Sequence, residues 1–492
     1  MNFADNGVGF PQSAGKQKYN HDTHDTSPLL HLSPKDALTV RQSFEGILVT
    51  GSSGTGKSSA AGQSLGRAML RHQYSFLIAT TKPDDAKTWM EWARLEGRAD
   101  DIYLFSPENN FCFGLLDYAF FQGGTRGAGD TENVVSLLSE LLEFKNQNRS
   151  NAGDQQFWID SMKKMLGHFI DLLAYSGQTI SFAGVNKILQ SLPQSIEEVK
   201  SKEWQESSYA NQLLDRAIAN KNLASAQQND LALAIEYLLF VLPRMEERLR
   251  SGIMATLDSI TYPFLRGRLS VLCDGKTNLS PEHLFRGERP AIIILDLPIK
   301  TFHQTGQFIQ VLWNRLAQQA LEKRDTQAFP RPVCFFCDEA QNFCTKYYSL
   351  FQATARSARV CSVLMTQNLD SLRAQLGESQ TEGLLGNLNL KLFFSNDHTP
   401  TNEWAAKRIG EVWALGSNTS ISLGGGGSAS GGVSEQKRYI VEPSEFVRLR
   451  KGGYENNFFV DGIAFRSGRP FEASKMNHLR VRFPQKIVLH TL

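Results

Sequence analysis

The sequence has no long apolar run. Its uninterrupted aliphatic stretches are short, such as 291–295, whereas a helix that crosses a bilayer needs roughly 18 apolar residues or more. Residues 1–20 also lack the apolar segment behind a basic start that marks a secretory signal. We therefore expect a chain without a transmembrane segment or signal peptide that stays in the cytoplasm.

Cysteine is scarce, and the charges nearly cancel. Only six cysteines occur in 492 residues. Cys334 and Cys337 form the one close pair, but they lie inside an apolar run and no second pair stands at zinc-ligand spacing, so we expect buried thiols rather than a metal site. A net charge of +2 neither demands nor excludes a nucleic-acid partner, because such binding needs a local basic stripe and not a basic total.

Short apolar runs alternate with helical patterns in two separated parts of the chain. This alternation predicts an α/β fold with a parallel-rich sheet. Between the two parts, apolar residues recur at helical spacing and predict an all-α insertion. A Gly/Ser-rich stretch near 424–432 is expected to be a flexible linker. The predicted divisions are a polar lead-in (1–43), a first nucleotide-binding part (44–129), the all-α domain (130–260), a second nucleotide-binding part (261–475) and a C-terminal tail (476–492).

Residues 51–58 fit the phosphate-loop pattern G-x-x-x-x-G-K-[ST] between an apolar run and a helical segment. Glycines let backbone N–H groups form a nest for phosphate oxygens, and the helix that follows adds the positive end of its dipole. Lys57 would reach the β- and γ-phosphates, and the Ser58 hydroxyl would bind Mg²⁺. A nucleoside triphosphate is therefore the expected ligand, and the predicted binding residues are Gly51, Ser53, Gly54, Thr55, Gly56, Lys57, Ser58 and Ser59.

Such a loop needs a carboxylate at the end of a neighbouring strand. Two apolar runs end in an acid, one at Asp296 and the other at Asp338 followed by Glu339. The second is favoured, because it supplies a carboxylate for the metal (Asp338) and a neighbour that can polarise water (Glu339).

Two further polar residues extend the candidate site. Gln367 follows the apolar run 361–365 and could sense the γ-phosphate or position water, as glutamines do in other NTPases. Arg356 is either a surface charge or an arginine offered to the γ-phosphate of a neighbouring subunit, a role that suits a planar guanidinium.

Taken together, residues 40–475 resemble the soluble ATPase part of type IV secretion coupling proteins of the TraG/TraD type, within the FtsK/HerA superfamily of P-loop NTPases. The resemblance rests on an ordered set of segments: 51–58, 103–107, Gly153-Asp154 with Phe157-Trp158, 338–341, Arg356 with Thr366-Gln367, and 390–397 before Ile409-Gly410. Lys82-Pro83-Asp84 matches only part of a family segment, and those residues are given no role.

The resemblance implies a RecA-like core that carries an all-α domain and assembles as a homo-hexamer. It implies ATP and Mg²⁺ bound between subunits, with Arg356 supplied in trans. The implied activity is a DNA-stimulated ATPase that translocates DNA, expected to be single-stranded, together with a relaxase or another secreted protein. Membrane secretion-channel proteins are further implied partners. Family members carry N-terminal transmembrane helices that this sequence lacks, so peripheral recruitment to the inner membrane is the expected alternative to a purely cytoplasmic location.

Two other functions remain open at this point. One is a HerA-like DNA-processing ATPase that acts in repair or in defence against mobile elements. The other is a switch protein that binds ATP without translocating anything. The Asp338–Glu339 pair disfavours the switch, because pure binding needs no residue that activates water.

Overall fold

The computed structural model describes residues 24–121, 130–146, 152–422 and 428–485. Its strands, in chain order, are β1 (Pro28–His31), β2 (Ala37–Thr39), β3 (Ile47–Thr50), β4 (Ser75–Ala79), β5 (Ile102–Phe105), β6 (Ile292–Leu295), β7 (Val333–Cys337), β8 (Val360–Thr366), β9 (Leu390–Phe393), β10 (Glu411–Ser422), β11 (Ser428–Tyr439), β12 (Phe459–Phe465) and β13 (His478–Pro484).

Nine of these strands form one central sheet in the order β13-β12-β9-β3-β8-β7-β4-β6-β5. All neighbours from β9 to β5 are parallel, while β12 pairs antiparallel with both β9 and β13. The predicted α/β fold with a parallel-rich sheet is confirmed. Because β3, β8 and β7 are adjacent, the segments that follow them meet at one edge of the sheet.

The central strands are buried on both faces, as their continuous apolar sequences predict. Side chains alternate between the two faces: Leu48 packs into the core on one side, whereas Ile47 and Val49 pack into the core on the other. The same alternation separates Cys334 from Cys337, and both are buried free thiols.

Helices cover both faces of the sheet. They are α1 (Val40–Ser43), α2 (Gln63–Arg71), α3 (Asp85–Leu95), α4 (Leu115–Phe121), α5 (Asp130–Asn146), α6 (Ala152–Tyr175), α7 (Phe182–Gln190), α8 (Ile196–Lys200), α9 (Lys202–Ser207), α10 (Tyr209–Ala219), α11 (Ser225–Glu236), α12 (Glu247–Thr261), α13 (Gly267–Asp274), α14 (Ile299–Lys323), α15 (Lys346–Thr354), α16 (Leu369–Leu376), α17 (Glu378–Gly386), α18 (Thr399–Ile409) and α19 (Pro443–Val447).

Every regular element described between β5 and β6 is helical. Its apolar side chains, such as Leu138, Met165 and Leu166, belong to the same continuous core as Leu48 and Phe335 of the sheet. The helical insertion is therefore packed directly onto one face of the sheet and is not a separate body on a linker.

Two stretches differ from their predicted conformations. Strand β13 lies in the segment predicted as a C-terminal tail and pairs with β12 over seven residues; its sequence alternates apolar and polar residues, but it follows a turn-rich stretch that hides the signal. The predicted linker near 424–432 falls partly in β11, which forms an antiparallel hairpin with β10, while 423–427 lie outside the described residues.

Within the described ranges, no helix combines the length and the apolar character that crossing a membrane requires.

Candidate functional site

The loop after β3 has an open apex and a packed base. Ser53 and Gly54 at the apex are exposed, whereas Thr55 and Gly56 are buried. Gly56 has a φ of 87°, and a Cβ added there would lie 2.5 Å from Cγ2 of Val460. Only glycine meets both conditions without strain, so the loop keeps a fixed base below an apex that is open to an anion.

Contacts inside the loop converge on the carbonyl oxygen of Ser52. It accepts hydrogen bonds from Thr55 Oγ1 at 2.8 Å and from Lys57 Nζ at 3.1 Å. Burial lowers the pKa of Lys57, while the carboxylates of Glu339 and Asp338 oppose that shift. The ammonium group therefore stands between the loop and the acidic pair, where it can reach a phosphate by exchanging its bond to a carbonyl.

The structure joins the two parts of the predicted metal site. Ser58 Oγ donates a hydrogen bond of 2.6 Å to Asp338 Oδ2, across 280 residues of sequence. Asp338 is placed there because it follows β7, which is separated from β3 only by β8. A hydroxyl and a carboxylate at this spacing fit Mg²⁺, which is commonly held by one or two protein oxygens together with phosphates.

Burial also acts on Asp338. It raises the pKa of this carboxyl, and the nearby charge of Glu339 raises it further; the Ser58 hydrogen bond and the ammonium groups of Lys82 and Lys57 act in the opposite direction. A divalent cation favours the ionised form of a carboxylate. A cation bound at Asp338 would therefore offset the cost of burying its negative charge.

Glu339 is held in an unusual conformation. Its φ of 56° and ψ of 55° lie in the left-handed region, which is uncommon and costly for a residue with a side chain. Its carboxylate accepts bonds of 2.9 Å from Gln341 Nε2 and from Gln367 Nε2, one on each oxygen. Strain of this kind is concentrated at functional sites, and the two amides fix the carboxylate in position.

Gln367 is connected to the phosphate loop through Asn396, a buried residue that sequence reasoning missed. Asn396 Nδ2 donates to the backbone carbonyl of Gln367 at 3.0 Å, and Asn396 Oδ1 accepts from Ser52 Oγ at 3.1 Å. Ser52 Oγ also lies 2.5 Å from Asp397 Oδ1. The available signal was the polar pair Asn396-Asp397, which begins three residues after the end of β9, the strand beside β3.

Two more residues contact this region without having been predicted. Lys82 lies close enough that its charge lowers the pKa of both Asp338 and Lys57. Gln485, directly after β13, donates from Nε2 to Ser59 Oγ at 2.9 Å. Lys82 follows β4 at the same sheet edge and could have been found from strand order, whereas Gln485 depends on the pairing of β13.

Two residues lie elsewhere. Arg356 precedes β8, whereas the phosphate loop follows β3, so it lies at the opposite edge of the sheet; its side chain is 54% exposed and its Nη1 is 3.7 Å from Glu45 Oε1. Asp296 follows β6, which is four positions from β3 in the sheet. Of the predicted site residues, one chain therefore brings together the loop, Asp338, Glu339 and Gln367.

This arrangement has the parts for triphosphate hydrolysis. A loop for phosphates, a lysine, a hydroxyl–carboxylate pair for Mg²⁺ and a fixed carboxylate converge at one sheet edge. These are the elements by which P-loop NTPases position a triphosphate and the attacking water.

Comparison with protein families gives a match over residues 332–451 to the family described as the TraM recognition site of TraD and TraG. This range includes Asp338, Glu339, Arg356 and Gln367. The resemblance to TraG/TraD-type coupling proteins is thereby confirmed. No curated protein sequence is similar enough to the chain to count as a match.

Solved structures show the same fold. The chain is similar to the bacterial conjugative coupling protein TrwBdeltaN70 in an unbound form, with a TM-score of 0.59, 13% identity, and coverage of 94% of this chain and 89% of that chain. It is also similar to the plasmid coupling protein TrwB in complex with ADP and Mg²⁺, with a TM-score of 0.58, 13% identity, and coverage of 93% of this chain and 88% of that chain. A third similar structure is TrwB in complex with the ATP analogue ADPNP, with a TM-score of 0.57, 14% identity, and coverage of 95% of this chain and 91% of that chain. The predicted RecA-like P-loop NTPase fold is confirmed.

Proposed function

We propose that this chain, which resembles the TraG/TraD-type coupling proteins and has the fold of TrwB, is an ATP-hydrolysing motor that translocates DNA as a coupling protein in conjugative or type IV secretion transfer. The observation that carries the proposal is the 2.6 Å contact between Ser58 and Asp338. It joins the phosphate loop to Asp338, the residue that directly precedes the strained Glu339. The structures of TrwB with ADP and Mg²⁺ and with ADPNP support the same ligands here.

The residues would act as follows. The loop from Gly51 to Ser59, including Lys57, would bind the triphosphate. Ser58 and Asp338 would hold Mg²⁺, which would supply positive charge to the phosphate oxygens. Glu339 accepts a proton from the attacking water. Gln367, bonded to Glu339 at 2.9 Å, links the state of the γ-phosphate to Asn396 and the loop.

Assembly as a homo-hexamer belongs to the proposal, because among the described residues no arginine contacts the phosphate loop or the acidic pair of its own chain. Arg356 lies at the opposite sheet edge with its side chain half exposed. In a ring it would approach the nucleotide of a neighbouring subunit, and an arginine supplied in trans stabilises the charge that develops during phosphoryl transfer.

The proposed substrates are single-stranded DNA and an attached relaxase or other secreted protein. The match to the TraM recognition site of TraD and TraG supports contact with DNA-processing proteins through 332–451. The helical domain at 130–260, inserted between nucleotide-binding parts at 44–129 and 261–475, would bind cargo. Recruitment to the inner membrane would come from secretion-channel proteins.

ATP hydrolysis measured with and without single- and double-stranded DNA tests the function. We expect turnover that DNA stimulates, with single-stranded DNA the stronger activator. Lys57→Ala and Glu339→Gln should each lower turnover about 100-fold or more, since each removes a group that acts on the transferring phosphate or on water.

Lys437→Ala and Glu445→Gln are the matched controls, because both change charged residues in surface ion pairs far from the loop in sequence. Both should keep wild-type turnover. Unchanged hydrolysis in Lys57→Ala or Glu339→Gln would refute the site, and hydrolysis indifferent to DNA would favour the switch.

A further inference from the structure

A cleft of about 480 Å³ lies where the parallel strands begin, at the sheet edge opposite the phosphate loop. Its lining includes Glu45, Gln352, Arg356, Asn389 and Arg469. Glu45 precedes β3, Asn389 precedes β9, and Arg469 belongs to the connection between β12 and β13. Residues from distant parts of the chain therefore meet in one concave surface, of which the steps above use Arg356 alone.

The two arginines share one carboxylate oxygen. Glu45 Oε1 lies 3.0 Å from Arg469 Nη2 and 3.7 Å from Arg356 Nη1. The other oxygen, Oε2, accepts a bond of 2.6 Å from Asn389 Nδ2. One negative charge faces two guanidinium groups, so the cleft keeps an excess of positive charge for an anion.

Arg469 stands on a fixed loop. Arg466 donates to the carbonyls of Arg469 and Pro470 at 2.9 and 3.1 Å. The backbone N–H of Ser467 donates to Asn389 Oδ1 at 2.9 Å. The backbone that carries Arg469 is thus held in place while the side chain is 45% exposed, a combination that lowers the ordering cost when a ligand binds.

A nucleotide bound to the phosphate loop of the same chain cannot reach this cleft, because the loop and the cleft lie at opposite ends of β3. A nucleotide bound to a second copy of the chain can reach it, since the apex of the phosphate loop is exposed. Two guanidinium groups can bind adjacent oxygens of one phosphate, and a phosphate with two negative charges balances them better than the single carboxylate of Glu45 does.

We propose that Arg469 acts with Arg356 as a pair that binds the terminal phosphate of a nucleotide held by a second copy of this chain. Glu45 holds both arginines until that phosphate displaces it. This inference rests on the proposed function and adds to it a second arginine and the counter-ion that keeps both in place.

Complementation between inactive subunits tests the pair. The Arg469→Gln variant keeps an intact phosphate loop but offers only one arginine to a neighbouring copy. The Lys57→Ala variant lacks the lysine of its phosphate loop but offers both arginines. We expect Arg469→Gln alone to lose at least about 10-fold in turnover while its affinity for a fluorescent ATP analogue changes less than about twofold. A mixture with Lys57→Ala should regain turnover, because some interfaces then combine an intact loop with an intact pair.

The matched control is Arg482→Gln, which changes another half-exposed arginine paired with a carboxylate and should leave turnover unchanged. Recovery in the mixture also shows that Arg469→Gln is folded. Wild-type turnover in Arg469→Gln, or a mixture no more active than its parts, would overturn the pair alone. Absence of ATP turnover in the unaltered chain would overturn the proposed function as well.

Discussion

At the scale of single residues, two buried charges are held by neutral groups. Glu339 is bonded to the side-chain amides of Gln341 and Gln367, and Lys391 donates to the backbone carbonyl of Leu388. Neutral partners satisfy the hydrogen bonds of a buried ion without forming an ion pair. For Glu339, the consequence is a carboxylate that is fixed in position by neutral hydrogen-bond donors.

Lys391 allows a test by pH. It lies in β9 at 5% exposure, and burial, reinforced by the charge of Arg408, lowers its pKa to about 8. The unfolded chain then binds the proton more tightly than the native one, so stability should rise as pH increases through this window. We expect the free energy of unfolding to gain about 2 kcal/mol between pH 7.5 and 9.5 relative to Lys391→Met.

Urea unfolding of both proteins at the two pH values measures the difference, and the Met variant cancels the titration of other groups. An equal pH dependence in the two proteins would show that Lys391 keeps an ordinary pKa.

Which site residues the sequence could identify depended on strand order. Asp338 was preferred to Asp296 because Glu339 follows it, and the structure brings Asp338 and not Asp296 to Ser58. Lys82 and Asn396 were missed for a related reason. Each follows a short apolar run, and only the order β9-β3-β8-β7-β4 shows that these strand ends surround the loop.

At the scale of elements, α5 of the helical insertion is bonded to the elements around the acidic strand. Glu140 accepts from Arg315 Nε of α14 at 2.8 Å and from the Thr345 hydroxyl at the start of α15. The Arg315 guanidinium also lies 3.3 Å from the centre of the Tyr347 ring. Thr345 follows Asp338 by seven residues, so a displacement of α5 has a short path to the acidic pair.

Replacing Glu140 tests this connection. Glu140→Gln removes the negative charge that is paired with the buried guanidinium of Arg315 and should lower the free energy of unfolding by about 2 kcal/mol. If cargo acts through α5, DNA stimulation of ATP turnover should fall several-fold while turnover without DNA stays within about twofold of wild type.

Glu143→Gln on the same helix is the control, because Glu143 pairs with the half-exposed Lys346 and should cost under about 1 kcal/mol. Stimulation by DNA that survives Glu140→Gln in full would show that the helical domain communicates by another route.

Elements were predicted where local sequence decides them. The bounds of β6 and β8 agree to within one residue with the apolar runs 291–295 and 361–365, because a buried parallel strand reads as a continuous apolar segment. The hairpin of β10 and β11 was missed because its strands are rich in Gly and Ser and pair with each other outside the central sheet. Backbone pairing of that kind leaves little trace in hydrophobic pattern.

At the scale of the whole molecule, the geometry separates binding from hydrolysis. One chain carries the loop and the acidic residues at one sheet edge, and Arg356 and Arg469 at the other. If the residues act as proposed, nucleotide binding needs one copy, whereas a site completed by these arginines needs two.

Turnover should consequently depend on protein concentration although nucleotide affinity does not. Dilution over about 1,000-fold should lower the turnover per chain as assemblies dissociate, because association follows mass action. Light scattering on the same samples gives the mass, and a fluorescent ATP analogue gives the affinity. Constant turnover per chain at a single-chain mass would mean that the arginines at the far edge are not needed for hydrolysis. Turnover that falls together with mass, at unchanged affinity, requires that the second copy contributes to the chemical step and not to binding.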